Sequence, residues 1–345
     1  METKKHYNVA IDCLRILSIV AVVAVHTTTR TLEISSFAIQ KIPFTLFLNQ
    51  VFRFAVPLFF MISGFVLELN YHLHENYLTY LKKRLNRIFI PYVFWSLIYY
   101  CFVYYKNRNP NFLDSLLRGD ASYQLYFIPA ILIFYLLFPL MHKYIAVIGN
   151  RWVMILLFLI QLLLLFYDYH IRPLPLFYPL SIALLNYYAF IFGIILARNQ
   201  GVVTTFINKW KMLLLLGAIA FGMFVFYQGF SGYLLTQNYL TFYSQWRPSV
   251  LLYTFFLSGF LYWFFNKMVV NVSLCKTLAK LSFFVFFIHV IVLETLWHAI
   301  GINVFQLQFA QDLWWDPVFF SSVTLVSFSL AYMAHKIPYL SKLTG

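Results

Sequence analysis

Long apolar runs alternate with short polar segments along almost the whole chain. A helix that crosses a membrane needs about 20 mostly apolar residues, because it rises about 1.5 Å per residue through about 30 Å of hydrocarbon. Runs near that length cover residues 9–29, 44–69, 86–105, 124–141, 152–168, 180–197, 212–229, 248–266, 281–299 and 316–335. This pattern predicts an all-α polytopic bundle of about ten transmembrane helices, with interruptions at Pro139 and Asn186. No internal repeat or long linker is visible, so we expect a single domain over residues 1–345.

The composition excludes a soluble globular domain. Hydrophobic residues make up 62% of the chain and charged residues only 10%, with a mean hydropathy of +0.76. A soluble domain cannot cover its surface with so few charges. Lys4 and Lys5 precede the first apolar run, as in a signal peptide, but that run contains Asp12 and Arg15 and no small-residue cleavage site follows it. We therefore expect an uncleaved first transmembrane helix.

The distribution of basic residues predicts the orientation in the membrane. If the amino terminus is cytoplasmic, 16 of the 25 Lys and Arg residues lie in cytoplasmic segments and seven in external ones, with Arg15 and Arg53 inside predicted spans. Cytoplasmic segments of membrane proteins are enriched in Lys and Arg. Both termini are therefore expected in the cytoplasm. The net charge of +14 then reflects topology and contact with anionic membrane lipid, and we expect no nucleic-acid partner.

The first apolar run carries three polar side chains on one helical face. Asp12, Arg15 and His26 share this face, since eleven residues at about 100° each bring His26 back to the side of Arg15, roughly 16 Å further along the helix. A charge inside a membrane usually has a partner or a function. Asp12 and Arg15 also fit a simple ion pair that reaches the membrane surface, and His26 also fits a hydrogen-bonded packing role.

The second apolar run contains an arginine and a pair of small residues. Arg53 is expected to be buried, because it lies inside the run. Ser63 and Gly64 are expected to let this helix pack closely against a neighbour, since small residues allow helix backbones to approach.

The ninth apolar run carries four polar residues on two faces. Ser282 and His289 are seven residues apart and share one face, whereas Glu294 and His298 share another at i,i+4 spacing. Both Glu294 and His289 are candidates for a functional site. Glu294 equally fits a structural pair with His298 or with an arginine.

A basic cluster, YLKKRLNRIFIPY at residues 80–92, begins the third apolar run. Lys82 and Lys83 are interpreted as anchors at the membrane surface. Arg84 and Arg87 are one helical turn apart and continue into the run, where guanidinium groups can bind phosphates through two hydrogen bonds each.

The cysteines predict neither disulfides nor a metal site. Cys13, Cys101 and Cys275 lie within or at the ends of apolar runs and have no metal-ligand spacing. We expect three free thiols that pack as small apolar residues.

Four sequence motifs occur in order along the chain. They are the D-x-x-R and R-x10-H patterns of Asp12, Arg15 and His26, VPLFFMISGF at 56–65, the R-x-x-R-x-x-x-P pattern of Arg84, Arg87 and Pro91, and LSFFVFFIH at 281–289. Together they resemble the acyltransferase-3 family of membrane acyltransferases. HTTT at 26–29 and FAVPLFFMISGF at 54–65 are similar to its short branch, which includes the enterobacterial common antigen O-acetyltransferase. Lys280 departs from the family pattern, in which glutamate is frequent at this position.

This resemblance implies transfer of acetyl, or a similar short acyl group, from acyl-CoA (acetyl-CoA) to a hydroxyl of a cell-surface polysaccharide or its lipid-linked precursor, at the bacterial plasma membrane. His26 would act as general base or transient acyl carrier, because histidine titrates near neutral pH. Arg15 would bind the donor and stabilise negative charge, with Asp12 orienting it. The other implied residues are Arg84, Arg87 and Arg53 for the CoA donor, and His289, Glu294 and Ser282 for the acceptor.

A membrane exporter of a glycan or small acid is the alternative function. The same buried charges would then line a permeation pathway. Exporters often contain inverted repeats, which this sequence does not show, and a donor-sized basic cluster favours the enzyme.

Overall fold

The computed structural model describes residues 8–34, 42–71, 76–102, 111–236, 244–301 and 312–337. These residues are 87% helical and include no strand, which confirms the all-α prediction. In chain order the helices are α1 (Val9–Ile34), α2 (Ile42–Val51), α3 (Ala55–Leu69), α4 (Tyr77–Cys101), α5 (Phe112–Arg118), α6 (Phe127–Lys143), α7 (Ile145–Ile148), α8 (Arg151–His170), α9 (Tyr178–Leu184), α10 (Tyr187–Arg198), α11 (Gln200–Thr236), α12 (Pro248–Lys267), α13 (Val272–Gly301) and α14 (Trp315–Lys336). A 3₁₀ turn, Phe52–Phe54, joins α2 to α3.

Seven stretches of the described residues are long and apolar enough to cross a membrane. They are Val9–Glu33, Pro43–Leu69, Arg151–His170, Gln200–Leu235, Pro248–Lys267, Val272–Ala299 and Trp315–Lys336. The pair α9 and α10, bent by 48°, makes an eighth if it crosses as one span. Each of the ten predicted runs contains helix, but α6 is short and α4 begins with the basic cluster, so ten crossings stay a prediction.

Several helix bounds differ from the sequence prediction. The run 180–197 is two helices that break at Leu185 and Asn186, and the Asn186 side chain donates to the Ile182 carbonyl at 2.8 Å. Pro139 does not interrupt α6, which continues through it. The helix predicted for 212–229 extends over Gln200–Thr236 with a kink at Trp210. The helix of the ninth apolar run, α13, begins at Val272 instead of the predicted residue 281. This extension adds two lysines to one of the cavities described below.

Helix α1 lies at the centre of the bundle. It contacts α2, α3, α12, α13 and α14. By contrast, α8 exposes apolar side chains such as Leu156, Leu163 and Phe166, as expected for a helix that faces lipid. The polar residues of α1 are therefore placed in the protein interior, where membrane proteins keep functional charges.

Helices α3 and α10 pack backbone to backbone. A Cβ added at Gly64 would lie 2.1 Å from the carbonyl oxygen of Phe190, and one added at Gly193 would lie 2.0 Å from that of Met61. Only glycine fits at either position. The interpretation of Gly64 as a helix-packing residue is confirmed.

Candidate active site

Two cavities lie along α1, one towards each end. The basic cavity, near the amino-terminal end, has a volume of about 640 Å³. The charged residues that line it are Asp12 and Arg15 of α1, Arg84 and Arg87 of α4, and Lys276 and Lys280 of α13. His335, Ser63 and Ser282 also line it. Six helices, α1, α3, α4, α6, α13 and α14, thus bring distant parts of the sequence to one cavity.

The basic cavity carries a strong excess of positive charge. Its five cationic side chains face a single carboxylate, that of Asp12, which lies 3.6 Å from the Arg15 guanidinium. Arg84 also lies over the Tyr80 ring, 5.7 Å from its centroid. The neighbouring Lys82 is exposed and does not line the cavity. The two arginines thus line the cavity, whereas Lys82, interpreted as a surface anchor, does not.

The aromatic cavity lies towards the carboxyl-terminal end of α1 and has a volume of about 1300 Å³. It includes His26. The other aromatic side chains in its lining include those of Tyr123, Tyr126, Tyr169, Tyr178 and Trp246, and the charged ones are Arg30, Glu33, Arg53, Asp168, Arg172 and Glu294. Such a mixture of rings and polar groups suits an uncharged polar ligand.

His26 and His289 lie side by side where α1 meets α13. Their ring centroids are 5.3 Å apart, and the His26 ring lies 4.7 Å from that of Tyr123. His289 is fully buried, and its Nδ1 is 3.0 Å from the carbonyl oxygen of Val285. That oxygen only accepts, so Nδ1–H is the donor and Nε2 is the unprotonated nitrogen of the neutral ring. Nε2 has no hydrogen-bond partner among the residues that the structure describes.

Arg53 is held next to the turn of α1 that carries His26. Arg53 is 4% exposed, as expected for a buried arginine, and its Nε donates to Asn49 Oδ1 at 3.1 Å. Asn49 is itself buried, and its Nδ2 donates to the Val25 carbonyl at 3.2 Å and to the hydroxyls of Thr28 and Thr29 at 3.0 Å each. One asparagine therefore fixes the guanidinium of Arg53 relative to α1.

Glu294 belongs to an ion-pair network at the edge of the aromatic cavity. Its Oε2 lies 3.3 Å from Arg30 Nη2 and 3.8 Å from His298 Nε2. Arg30 also pairs with Glu33 at 2.7 Å and lies 5.3 Å from the centroid of the Trp297 ring. The structural pairing of Glu294 with both a histidine and an arginine agrees with the alternative interpretation of this residue.

The predicted site residues divide between the two cavities. The basic cavity contains Asp12, Arg15, Arg84, Arg87 and Ser282, and the aromatic cavity contains His26, Arg53 and Glu294. His289 is not part of either lining, although its ring contacts that of His26. Arg53, which the resemblance grouped with the CoA-binding arginines, is instead placed near His26.

Lys276 and Lys280 are cavity residues that sequence reasoning missed. In the sequence prediction both belong to the cytoplasmic basic residues, because they lie between the predicted spans 248–266 and 281–299. A signal was present, because Ser273, Lys276, Thr277 and Lys280 are spaced i, i+3, i+4 and i+7 and so form a polar stripe on one face of α13. All four line the basic cavity.

The three cysteines are free thiols. Cys101 is exposed, whereas Cys13 of α1 and Cys275 of α13 are in contact, with their Sγ atoms 3.2 Å apart. In the described part of the chain, no group of three or more His, Cys, Asp or Glu residues has the arrangement of a metal site.

Comparison with known families connects this geometry to an activity. The family model for acyltransferase family 3, described as an acyltransferase domain, matches residues 8–333. Comparisons with curated proteins and with solved structures found no match. Because the family match covers nearly the whole chain, this protein belongs to acyltransferase family 3 and is a membrane acyltransferase.

Proposed function

We propose that this protein transfers acetyl, or a similar short acyl group, from acyl-CoA to a hydroxyl of a cell-surface polysaccharide or its lipid-linked precursor. The observation that carries this proposal is the pairing of a basic cavity with a second cavity that contains His26 and many aromatic rings. Family membership favours acyl transfer over the exporter alternative. The short branch of O-acetyltransferases is the part of the family that we propose for it.

The basic cavity suits the phosphate groups of CoA. Its five cations and one carboxylate leave a net charge of +4 when His335 is neutral. The diphosphate and the 3′-phosphate of CoA together carry roughly four negative charges near pH 7. Arg15, Arg84 and Arg87 would form charge-assisted hydrogen bonds with these phosphates, and Lys276 and Lys280 would add point charges.

In the proposed reaction, His26 removes the proton of the acceptor hydroxyl as its oxygen attacks the carbonyl carbon of the thioester. A C–O bond forms, the C–S bond breaks, and His26 returns the proton to the CoA sulfur. Arg53 stabilises the negative charge on the carbonyl oxygen, since it lines the same cavity and Asn49 holds it in place. Arg15 lies towards the other end of α1, in the basic cavity, where it binds the acyl-CoA donor.

The aromatic cavity suits a sugar acceptor. Tyr126, Tyr178 and Trp246 offer ring faces to the C–H faces of a sugar and polar edges to its hydroxyls. Gln245 and Ser244 line the same region and supply further hydrogen-bonding groups. A glycan is therefore a better fit than an acyl chain, which would find too many polar groups there.

Glycan analysis tests the proposed function directly. A strain that lacks the protein should lose one class of acyl ester from a surface polysaccharide, and the ester should return when the protein is restored. Purified protein in liposomes should also release free CoA thiol from acetyl-CoA only when the acceptor glycan is present. An unchanged ester content in the deletion strain, together with no acceptor-dependent thiol release, would contradict the proposal.

The proposed orientation places the basic cavity on the cytoplasmic side of the plasma membrane, where acyl-CoA is found. It requires both termini in the cytoplasm. Reporters fused after residues 75, 145, 205 and 345 should then read cytoplasmic, and those after 112 and 238 should read external. An external reporter at residue 345, or an external basic cluster at residues 80–92, would place the donor cavity on the wrong side.

The basic cavity also predicts the effect of removing single charges. Arg84→Ala or Arg87→Ala should raise the KM for acyl-CoA about tenfold or more, because a hydrogen bond to a charged group contributes about 1.5–3 kcal/mol. The maximal rate should change less. Lys82→Ala is the matched control, since Lys82 lies in the same cluster but outside the cavity. If all three variants had the same KM for acyl-CoA as the parent, the cluster would only set the topology.

A further inference from the structure

Three phenylalanines lie where the two cavities meet. In the described part of the chain, Phe59, Phe127 and Phe286 are the residues that line both the basic and the aromatic cavity. They come from three different helices, α3, α6 and α13. The same three side chains therefore form the wall of each cavity.

Phe127 is the central ring of this group. Its centroid lies 5.9 Å from that of Phe59 and 5.8 Å from that of Phe286, which are distances of direct ring contact. Phe60 also packs against Phe127, with the two ring centroids 4.8 Å apart. Phe286 is 8% exposed, and its ring also packs against that of Phe287 at 5.3 Å. The three rings are therefore packed against one another at the junction of the two cavities.

This wall divides the groups that acyl transfer needs. Arg15 lines the basic cavity and His26 the aromatic cavity, roughly 16 Å apart along α1. If CoA phosphates bind among the arginines and the acceptor hydroxyl meets His26, the thioester end of the donor has to pass between the rings. Since all three side chains are apolar, they also oppose the passage of water and ions.

We propose that Phe59, Phe127 and Phe286 form a barrier that selects the acyl group by its size and closes the path between the two cavities to ions. The proposal rests on the proposed function for its first part, and the second part stands on the cavity geometry alone. A short acyl group needs only a small displacement of Phe127. Each further methylene in the acyl chain requires a larger displacement of Phe127, and closely packed rings resist such a displacement.

Acyl-CoA preference tests the size selection. Phe127→Leu and Phe127→Ala should raise the ratio of kcat/KM for butyryl-CoA over acetyl-CoA by about tenfold or more, on the scale of methylene discrimination in close-fitting pockets. Phe127→Trp should lower it. Phe192→Ala is the matched control, because Phe192 is half-buried among the rings of Tyr188 and Phe255 but lines neither cavity. A ratio that is the same in the Phe127 variants and in the control would overturn the selection.

Iodide entry into liposomes tests the barrier without any acyl transfer. Liposomes that contain the protein and an iodide-quenched fluorophore should lose fluorescence faster with Phe127→Ala than with the parent or with Phe192→Ala. Phe127→Leu, which keeps most of the apolar volume, should give an intermediate rate and serves as the second variant. Equal entry rates in correctly inserted proteins would overturn the barrier. A parent protein that transfers no acyl group would contradict the proposed function and the size selection, while iodide entry would still decide whether the rings close the path.

Discussion

Acyl transfer is expected to fall by a factor of about 10²–10⁴ in His26→Gln, with membrane insertion and abundance close to those of the parent. Glutamine keeps a hydrogen-bond donor and much of the shape of the imidazole, but it cannot accept a proton near pH 7. A histidine that only packs would tolerate this change. The measurement is acceptor-dependent release of CoA thiol from liposomes with matched amounts of protein.

Ser18→Ala is the control for this experiment. Ser18 lies on the same helix and is fully buried, but its hydroxyl donates only to the Leu14 carbonyl at 2.8 Å and lines neither cavity. The control should keep nearly full activity. Full acyl transfer by His26→Gln would contradict the role of His26 as base or acyl carrier and leave it a packing residue.

Arg15 gives a companion test at the other end of α1. Arg15→Lys keeps the charge but loses the planar guanidinium fork, so we expect partial activity with a raised KM for acyl-CoA. Arg15→Ala should be inactive at ordinary donor concentrations. Since Arg15 lines the basic cavity and His26 the aromatic one, the two substitutions should affect different kinetic parameters. If Arg15→Lys lowered kcat and left the KM for acyl-CoA unchanged, Arg15 would not be a donor-binding residue.

His289 is the other histidine that contacts this region, and its position argues against a role as the base. It is fully buried and lines neither cavity, so an acceptor hydroxyl in the aromatic cavity does not reach its nitrogens. The Val285 carbonyl fixes its tautomer, and its ring packs at 5.3 Å from that of His26. We therefore expect His289 to position His26. His26, by contrast, is partly exposed and lines the aromatic cavity.

Helical periodicity explains which parts of the site were predictable from the sequence. A spacing of three or four residues places side chains on one face, and this rule groups Arg84 with Arg87 and Asp12 with Arg15. Arg53 was also predicted to be buried, because an arginine inside an apolar run has little access to water. These are local properties of single helices.

The division into two cavities depends on contacts between helices that are far apart in sequence. Asp12, Arg15 and His26 share a face, which suggested one site, but the rings of Phe59, Phe127 and Phe286 come between the two ends of that face. In a chain with 40 phenylalanines, no local pattern distinguishes these three from lipid-facing or core residues. Only the packing of α3, α6 and α13 against α1 identifies them.

Arg247 is a buried cation whose position also depends on contacts between distant helices. The sequence predicts an external position for it, because it lies between the predicted spans 212–229 and 248–266. The structure buries it completely, with Nη1 donating to the Val225 carbonyl at 3.3 Å and Nη2 to the Gln50 side chain. Burial lowers the pKa of Arg247 to about 10, so the guanidinium keeps its charge at neutral pH. The tertiary fold, and not the hydropathy of its neighbours, decides where this residue lies.

Gly64→Ala and Gly193→Ala are expected to cause the largest losses of stability in the bundle. Each added Cβ would lie within 2.1 Å of a backbone carbonyl oxygen on the opposite helix, a distance that real Cβ atoms essentially never show. The obstacle is backbone, which cannot rotate away as a side chain can, so α3 and α10 have to separate. Overpacking of this kind usually costs about 1–3 kcal/mol, and we expect the upper end or beyond here.

Gly201→Ala provides the matched control, because an added Cβ at Gly201 has no atom within 4 Å beyond the neighbouring backbone of its own helix. Alanine is also the better helix former, so this variant should melt at the same temperature as the parent or slightly above it. The measurement is the thermal unfolding midpoint in detergent, together with the yield of monodisperse protein. We expect Gly64→Ala and Gly193→Ala to lower both the unfolding midpoint and the yield.

Because α3 also carries Phe59 and Ser63, any folded Gly64→Ala protein should bind acyl-CoA more weakly as well. Midpoints equal to that of Gly201→Ala would mean that the two helices are not in backbone contact in the membrane protein, and the placement of Phe59 in the barrier would then lose its support.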